Sequence, residues 1–198
     1  MYNRAGTGFD SADGHHRHAT ESRPPRLNES VQTRGRGRLL VSDRYEIRPV
    51  VLSDADVLLE WRNDAETRRR ARTQQVIDFA DHVSWLAAAL ADESILYRLL
   101  VSTDGSVELP LASVRYDCEA GTGLAVVSIL VAPTARGRGI GRVALERTLP
   151  ELRQWQPDLS AVLAVVHEDN PASRRLFQST GFTYRDSDGL WQNYVLAL

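Results

Sequence analysis

The stretch from Val127 to Arg147, VSILVAPTARGRGIGRVALER, leaves few architectures open. Ser128, Ile129, Leu130, Val131 and Ala132 are small or apolar without a break, which reads as a strand buried on both faces. Pro133 ends that strand, and Arg136-Gly137-Arg138-Gly139-Ile140-Gly141 opens a helix. Such a turn gathers consecutive main-chain N–H groups, receives about half a positive charge from the helix, and lacks the Cβ atoms that would hold a phosphate off. It is an anion cradle, and its ligand carries phosphate. Two nucleotide-binding patterns fail here: no Gly-Lys-Ser or Gly-Lys-Thr follows, and Arg142 breaks the G-x-G-x-x-G spacing that Gly137 and Gly139 begin.

A second block sits downstream. Ala161 to Val166 reads as another buried strand, followed by a helix with Asn170 as N-cap, Pro171 at its first position and Gly181 just past its end. Asn170, Ser173, Leu176, Phe177, Gly181 and Phe182 stand at the spacing of E-N-x-x-[AS]-x-x-L-[YF]-x-x-x-G-F, with Asp169 at its first position, and Arg136 to Gly141 fits R/Q-x-x-G-x-G/A. In this order the two blocks resemble the GCN5-related N-acetyltransferases (GNAT), and the resemblance spans about Tyr45 to Leu198. It implies the α/β acyl-CoA N-acyltransferase fold, a single domain with a mixed sheet and splayed central strands. It also implies acetyl-CoA as co-substrate, with no metal. On that reading the main chain of Leu130, Val131 and Ala132 holds the pantetheine and the thioester oxygen, and the amides of Arg136, Gly137, Arg138, Gly139, Ile140 and Gly141 hold the pyrophosphate. Asn170 touches the pantetheine arm, while Ser173, Arg174 and Phe177 line the cofactor wall.

Acetyl transfer from a thioester to an amine needs a neutral amine, a stabilised oxyanion and a proton for the departing thiolate. Many members of the family carry a tyrosine where this chain has Phe177, which has no proton to give. Ser173 stands where relatives that acetylate ribosomal-protein N-termini use a serine, with Tyr184 and Tyr116 as weaker alternatives. For the base, His82 is the best-suited group by its ordinary pKa, with Asp117 and Glu119 as substitutes. Trp61-Arg62-Asn63-Asp64, the arginines that follow, and His82 with Trp85 resemble acetyltransferases of UDP-linked 4-amino sugars. That likeness makes Trp61, Asn63, His82 and Trp85 candidate acceptor-binding residues. The acceptor is then a small-molecule amine, with a nucleotide sugar as the leading example. A protein N-terminal acetyltransferase and a non-catalytic acetyl-CoA-binding module are the alternatives.

A chain of 198 residues that is 42% apolar suits one core. Its net charge of −2 argues against a nucleic-acid partner, and the single Cys118 excludes an internal disulfide and fits a reducing cytoplasm. No segment has the apolar length of a membrane span, and the chain is expected as a monomer or homodimer. Residues 1–42 read as a disordered Arg/Gly/His-rich extension, in which His15, His16 and His18 have no ligand partners and Arg34-Gly35-Arg36-Gly37 follows no strand. Residues 43–198 form the acetyltransferase domain, in the predicted order β, α, α, β, β, β, α, β, α, β, β. Ser53 and Asp56 suggest a capping box, and Asp78 caps a helix with the core stripe Phe79, Val83, Leu86 and Leu90. Pro150 is expected to kink or end the helix that follows the cradle, and turns are expected at Asp104-Gly105 and Asp188-Gly189.

Overall fold

The computed structural model describes residues 45–103 and 107–198. The extension over residues 1–42, its histidines, the Arg34–Gly37 run and the Asp104-Gly105 turn lie outside the described residues. The elements are β1 (Tyr45–Pro49), α1 (Ala55–Asn63), α2 (Ala65–Arg69), α3 (Phe79–Ala91), β2 (Ile95–Ser102), β3 (Leu109–Glu119), β4 (Leu124–Val131), α4 (Ile140–Trp155), β5 (Ala161–His167), α5 (Pro171–Ser179), β6 (Thr183–Asp188) and β7 (Trp191–Ala197). Apart from the short α2, the order is the predicted one. The seven strands form one sheet, β1-β2-β3-β4-β5-β7-β6, antiparallel everywhere except between β4 and β5.

Alternation along β3 sorts the two faces. Tyr116 turns toward α4, where its hydroxyl meets Thr148 Oγ1 at 2.8 Å, and Arg98 of β2 reaches Glu151 of α4 on the same side. Tyr97 and Arg115 turn the other way, toward α3, where both contact Trp85. A core of branched aliphatics, including Leu99, Leu100, Val114, Leu145 and Val162, fills the space between the sheet and its helices.

Three local expectations change. The Ser53–Asp56 capping box does not form; Asp54 instead takes the Val51 N–H at 2.9 Å and the Arg48 guanidinium at 2.8 Å on both oxygens. α4 runs through Pro150 to Trp155, because Pro150 lies on the solvent side while Leu145, Thr148 and Leu152 bury the opposite face across it. The hydrogen bond lost at Pro150 falls on the main-chain carbonyl of Glu146, an exposed residue on the solvent side of the helix. α3 is also rotated relative to the expected stripe, burying His82, Leu86 and Ala89 while Phe79 and Leu90 stay exposed. His82 is buried against the Ala55 main chain of α1, a placement that apolarity alone does not reveal.

Gly141 serves a different need. A Cβ there would stand 3.0 Å from Leu176 Cδ2, closer than an ordinary contact, and 3.5 Å from Val131 Cγ2, so a larger residue must push Leu176 aside where α4 meets α5. Gly141→Val should destabilise the domain by about 1–3 kcal/mol, read from denaturant unfolding. His82 yields a second expectation. Burial is the largest influence on it and lowers its pKa below the ordinary 6.5, aided by the Arg62 charge and opposed by a hydrogen bond with the Ala55 main chain. The unfolded chain therefore binds this proton first, and stability falls as pH drops through 6.5. His82→Leu should flatten that part of the melting-temperature profile.

Candidate active site

In the turn ahead of α4, Gly137 and Gly139 adopt left-handed φ angles of 73° and 79°, a conformation that glycine takes without strain. Arg142 and Val143 donate to the Gly139 carbonyl at 3.0 and 3.2 Å, starting the 16-residue α4. The N–H groups of Gly137, Arg138, Gly139, Ile140 and Gly141 find no acceptor among the described residues. Five successive free donors at the start of a long helix are an arrangement that suits an anion.

Beside the cradle the sheet opens. β4 and β5 pair only from Leu124 with Ala161 to Val127 with Ala164, yet β4 continues to Val131 and β5 to His167. On its other edge β4 stays paired with β3 as far as Val131, and Ala132 N–H donates to Leu111 O at 2.9 Å. From Ser128 onward, then, the main chain of β4 facing β5 is unpaired, and Leu130 and Val131 lie on that stretch. α5 forms the wall beyond β5. Its N-cap Asn170 accepts from Ser173 N–H at 3.1 Å, which leaves the Ser173 hydroxyl without a hydrogen bond among the described residues. Arg174 is half-buried beside it, whereas Phe177 is buried edge-on against Phe182 at 5.0 Å and acts as core.

The segment between α1 and α3 ties both sides of this opening together. Arg136, from the turn after β4, reaches Asp64 Oδ2 and Thr67 Oγ1, each at 2.8 Å. Arg70 donates to the carbonyl of Asp169, in the turn after β5, at 3.1 Å. Sequence reading missed this strap, although Asp64 ahead of Thr67 is an N-cap pattern, and Asp64 does accept from Thr67 N–H at 3.0 Å.

Several acceptor candidates prove structural. Trp61 is 3% exposed and belongs to the core. Both polar atoms of the Asn63 amide bind the Ile77 main chain, at 2.8 and 2.9 Å. Arg62 donates to Thr73 O and Arg68 to Asn63 O and Gln74 O, while Arg69 and Arg70 pair with Glu66. His82 is 4% exposed with its Nε2 buried and unpartnered, so it is closed off from an incoming amine. It serves instead as the surface on which Trp85 stacks at 5.6 Å.

Trp85 remains open, 42% exposed. Tyr97 meets it edge-on at 6.5 Å, and the Arg115 guanidinium lies 5.0 Å from its ring centre while Nε holds Asp117 at 3.0 Å. Arg115 is paired in register with Ser128, the first β4 residue past the last β5 pair, and Ser128 is exposed. Tyr97, Arg115 and Ser128 were not among the sequence candidates; the polar alternation Ser113, Arg115, Asp117 along an otherwise apolar strand was the available signal. The remaining titratable candidates lie elsewhere. Tyr116 is on the α4 face, its hydroxyl bound to Thr148 and its pKa driven up by burial. Tyr184 is 53% exposed on β6, the outermost strand, and Glu119 pairs with Leu124 at the end of β4 away from the cradle.

Comparison with known proteins agrees with this layout. A sequence model of the Acetyltransferase (GNAT) domain matches residues 44–183. An uncharacterized N-acetyltransferase of Bacillus subtilis, YfmK, is 24% identical over 149 residues, covering 74% of this chain and 88% of the relative. Among solved structures, spermidine N-acetyltransferase from Vibrio cholerae with CoA and spermine superposes with a TM-score of 0.68 at 14% identity, over 78% of this chain and 95% of that one. AAC(6')-Ib with ribostamycin and coenzyme A superposes at 0.64 and 19% identity, over 78% and 94%. With the domain match spanning both the cradle and the Asn170 block, the chain belongs to the GNAT acetyltransferase family, acyltransferases that use acetyl-CoA as co-substrate.

Proposed function

We propose that this chain acetylates the primary amine of a small molecule, with the acceptor arriving on the Trp85 face of the sheet. The observation that carries the proposal is the adjacency of five free amides, Gly137 to Gly141, to a strand whose main chain is unpaired beyond Val127. The amides would hold the diphosphate, and the unpaired stretch through Leu130 and Val131 would hold the pantetheine arm. Bound there, coenzyme A supplies the activated acetyl thioester.

The residues of the chain then have separable tasks. Unpaired main-chain N–H groups of β4 are donors of the kind that stabilise a developing oxyanion, already fixed by the pairing with β3 and so needing no reorganisation. Ser173 is the proton donor for the departing thiolate, since its hydroxyl is unengaged on the α5 wall while Phe177 has none. Trp85, backed by His82 and Tyr97, offers the acceptor a flat apolar surface. A small acceptor is favoured over a polypeptide because the Asp64–Arg70 strap lies across the ends of both central strands. The arginines that suggested a nucleotide diphosphate are already engaged with carbonyls and with Glu66, so the acceptor class is drawn at the level of a small amine.

Two measurements test this. Coenzyme A should raise the melting temperature, and acetyl-CoA should release free thiol faster in the presence of an accepted amine. The chain contains no lysine, so acetylation of its own lysines cannot imitate turnover. Ser173→Ala should lower kcat by about 10-fold to 100-fold with the KM for acetyl-CoA nearly unchanged; an unchanged kcat would transfer the proton-donor role to another group.

A further inference from the structure

The acceptor face carries a charge arrangement unlike what a polycation needs. Its enclosed or half-enclosed carboxylates are already paired with guanidinium groups: Asp54 with Arg48 at 2.8 Å, Asp64 with Arg136 at 2.8 Å, Glu66 with Arg70 at 2.6 Å, and Asp117 with Arg115 at 3.0 Å. None of these four is left over to attract an ammonium group of a polyamine or an aminoglycoside, and Asp81, one turn before Trp85 on α3, is exposed to solvent. One cationic group beside Trp85, by contrast, keeps free donors. Arg115 uses its Nε on Asp117 and its flat face on Trp85, while its two terminal nitrogens have no protein partner among the described residues.

Resting on the small-amine reading above, we infer that Arg115 binds an acidic group on the acceptor, so that the substrate is an amine that also carries a carboxylate or a phosphate. The two contacts that Arg115 makes fix the plane of its guanidinium, leaving the fork of terminal N–H groups available for bidentate recognition of an oxyanion. Its side chain is 24% exposed, enclosed enough for the charge to act at reduced dielectric and open enough to be reached. Register with Ser128 sets it at the start of the unpaired stretch of β4, so an acceptor held by its acidic end at Arg115 has its amine within a few bonds of the opening. Trp85 beside it suits a ring or an aliphatic chain between the two ends.

The test compares amines in matched pairs with the full-length enzyme and acetyl-CoA: L-phenylalanine against L-phenylalaninamide, and glucosamine 6-phosphate against glucosamine, with spermine as a polycation. In at least one pair the acidic member should have a kcat/KM about 10-fold or more above its neutral partner, with spermine below both. Arg115→Gln should reduce that ratio to near unity while the KM for acetyl-CoA moves less than 2-fold. Arg115→Lys, which keeps charge but loses the fork, should recover part of the preference and serves as the readout if the glutamine variant melts early. Preference of the wild type for neutral amines or spermine, or persistence of the acidic preference in Arg115→Gln, overturns the inference and leaves small-amine acetylation standing. Acetylation of no member of the panel removes that reading and the inference with it.

Discussion

Two parallel strands that pair for four residues and then part create the site. A strand edge inside a sheet normally satisfies its amides and carbonyls with its neighbour, and leaving a buried one unmet costs about 1–3 kcal/mol. In this chain β4 keeps its full ladder with β3 and gives up only the upper half of its ladder with β5. The opening is thus paired on one side and unsatisfied on the other, with β4 main-chain groups free to meet a ligand without first breaking the hydrogen bonds to β3. The turns at the ends of the two strands maintain their separation. Pro133 leads β4 into the glycine turn, and Asn170-Pro171 sends β5 into α5.

Arginine does much of the holding. Arg48 orders the entry to α1 through Asp54, Arg62 and Arg68 fix the loop after α2 by its carbonyls, and Arg70 and Arg136 bind the strap to the turns after β5 and β4. A partly exposed ion pair such as Arg136–Asp64 stabilises little, about 0–1 kcal/mol. Its consequence is geometric, because a planar guanidinium with several fixed donors sets the position of a loop that has few buried apolar residues of its own. Arg136 is notable in this respect. Its main chain leads into the glycine turn, and its side chain reaches Asp64 and Thr67, so one residue ties that turn to the segment between α1 and α3.

On the acceptor side, His82 shows how burial redirects a residue's chemistry. An imidazole with an ordinary pKa would be a natural base; enclosed at 4% exposure, it is held neutral and becomes a platform for Trp85. Trp85 in turn fixes Arg115, and the polar positions of β3 acquire their arrangement from an aromatic residue on a different element.

The sequence by itself determined the cradle, the Asn170 cap, the strand and helix order and hence the family, because each depends on local constraints: positive φ at Gly137 and Gly139, a side chain capping its own helix, proline at a strand end. It also bounded the chemistry, since Phe177 has no proton to donate. Only the tertiary structure decided which face of α3 is buried, that Trp61 and Asn63 are structural, that the arginine run is engaged, and that Arg115 lies against Trp85 while in register with Ser128, where the β4–β5 pairing ends. Those outcomes depend on packing between elements distant in the chain, where helical periodicity fixes a face only to within a residue or so and charge pairing is invisible until the partners are adjacent.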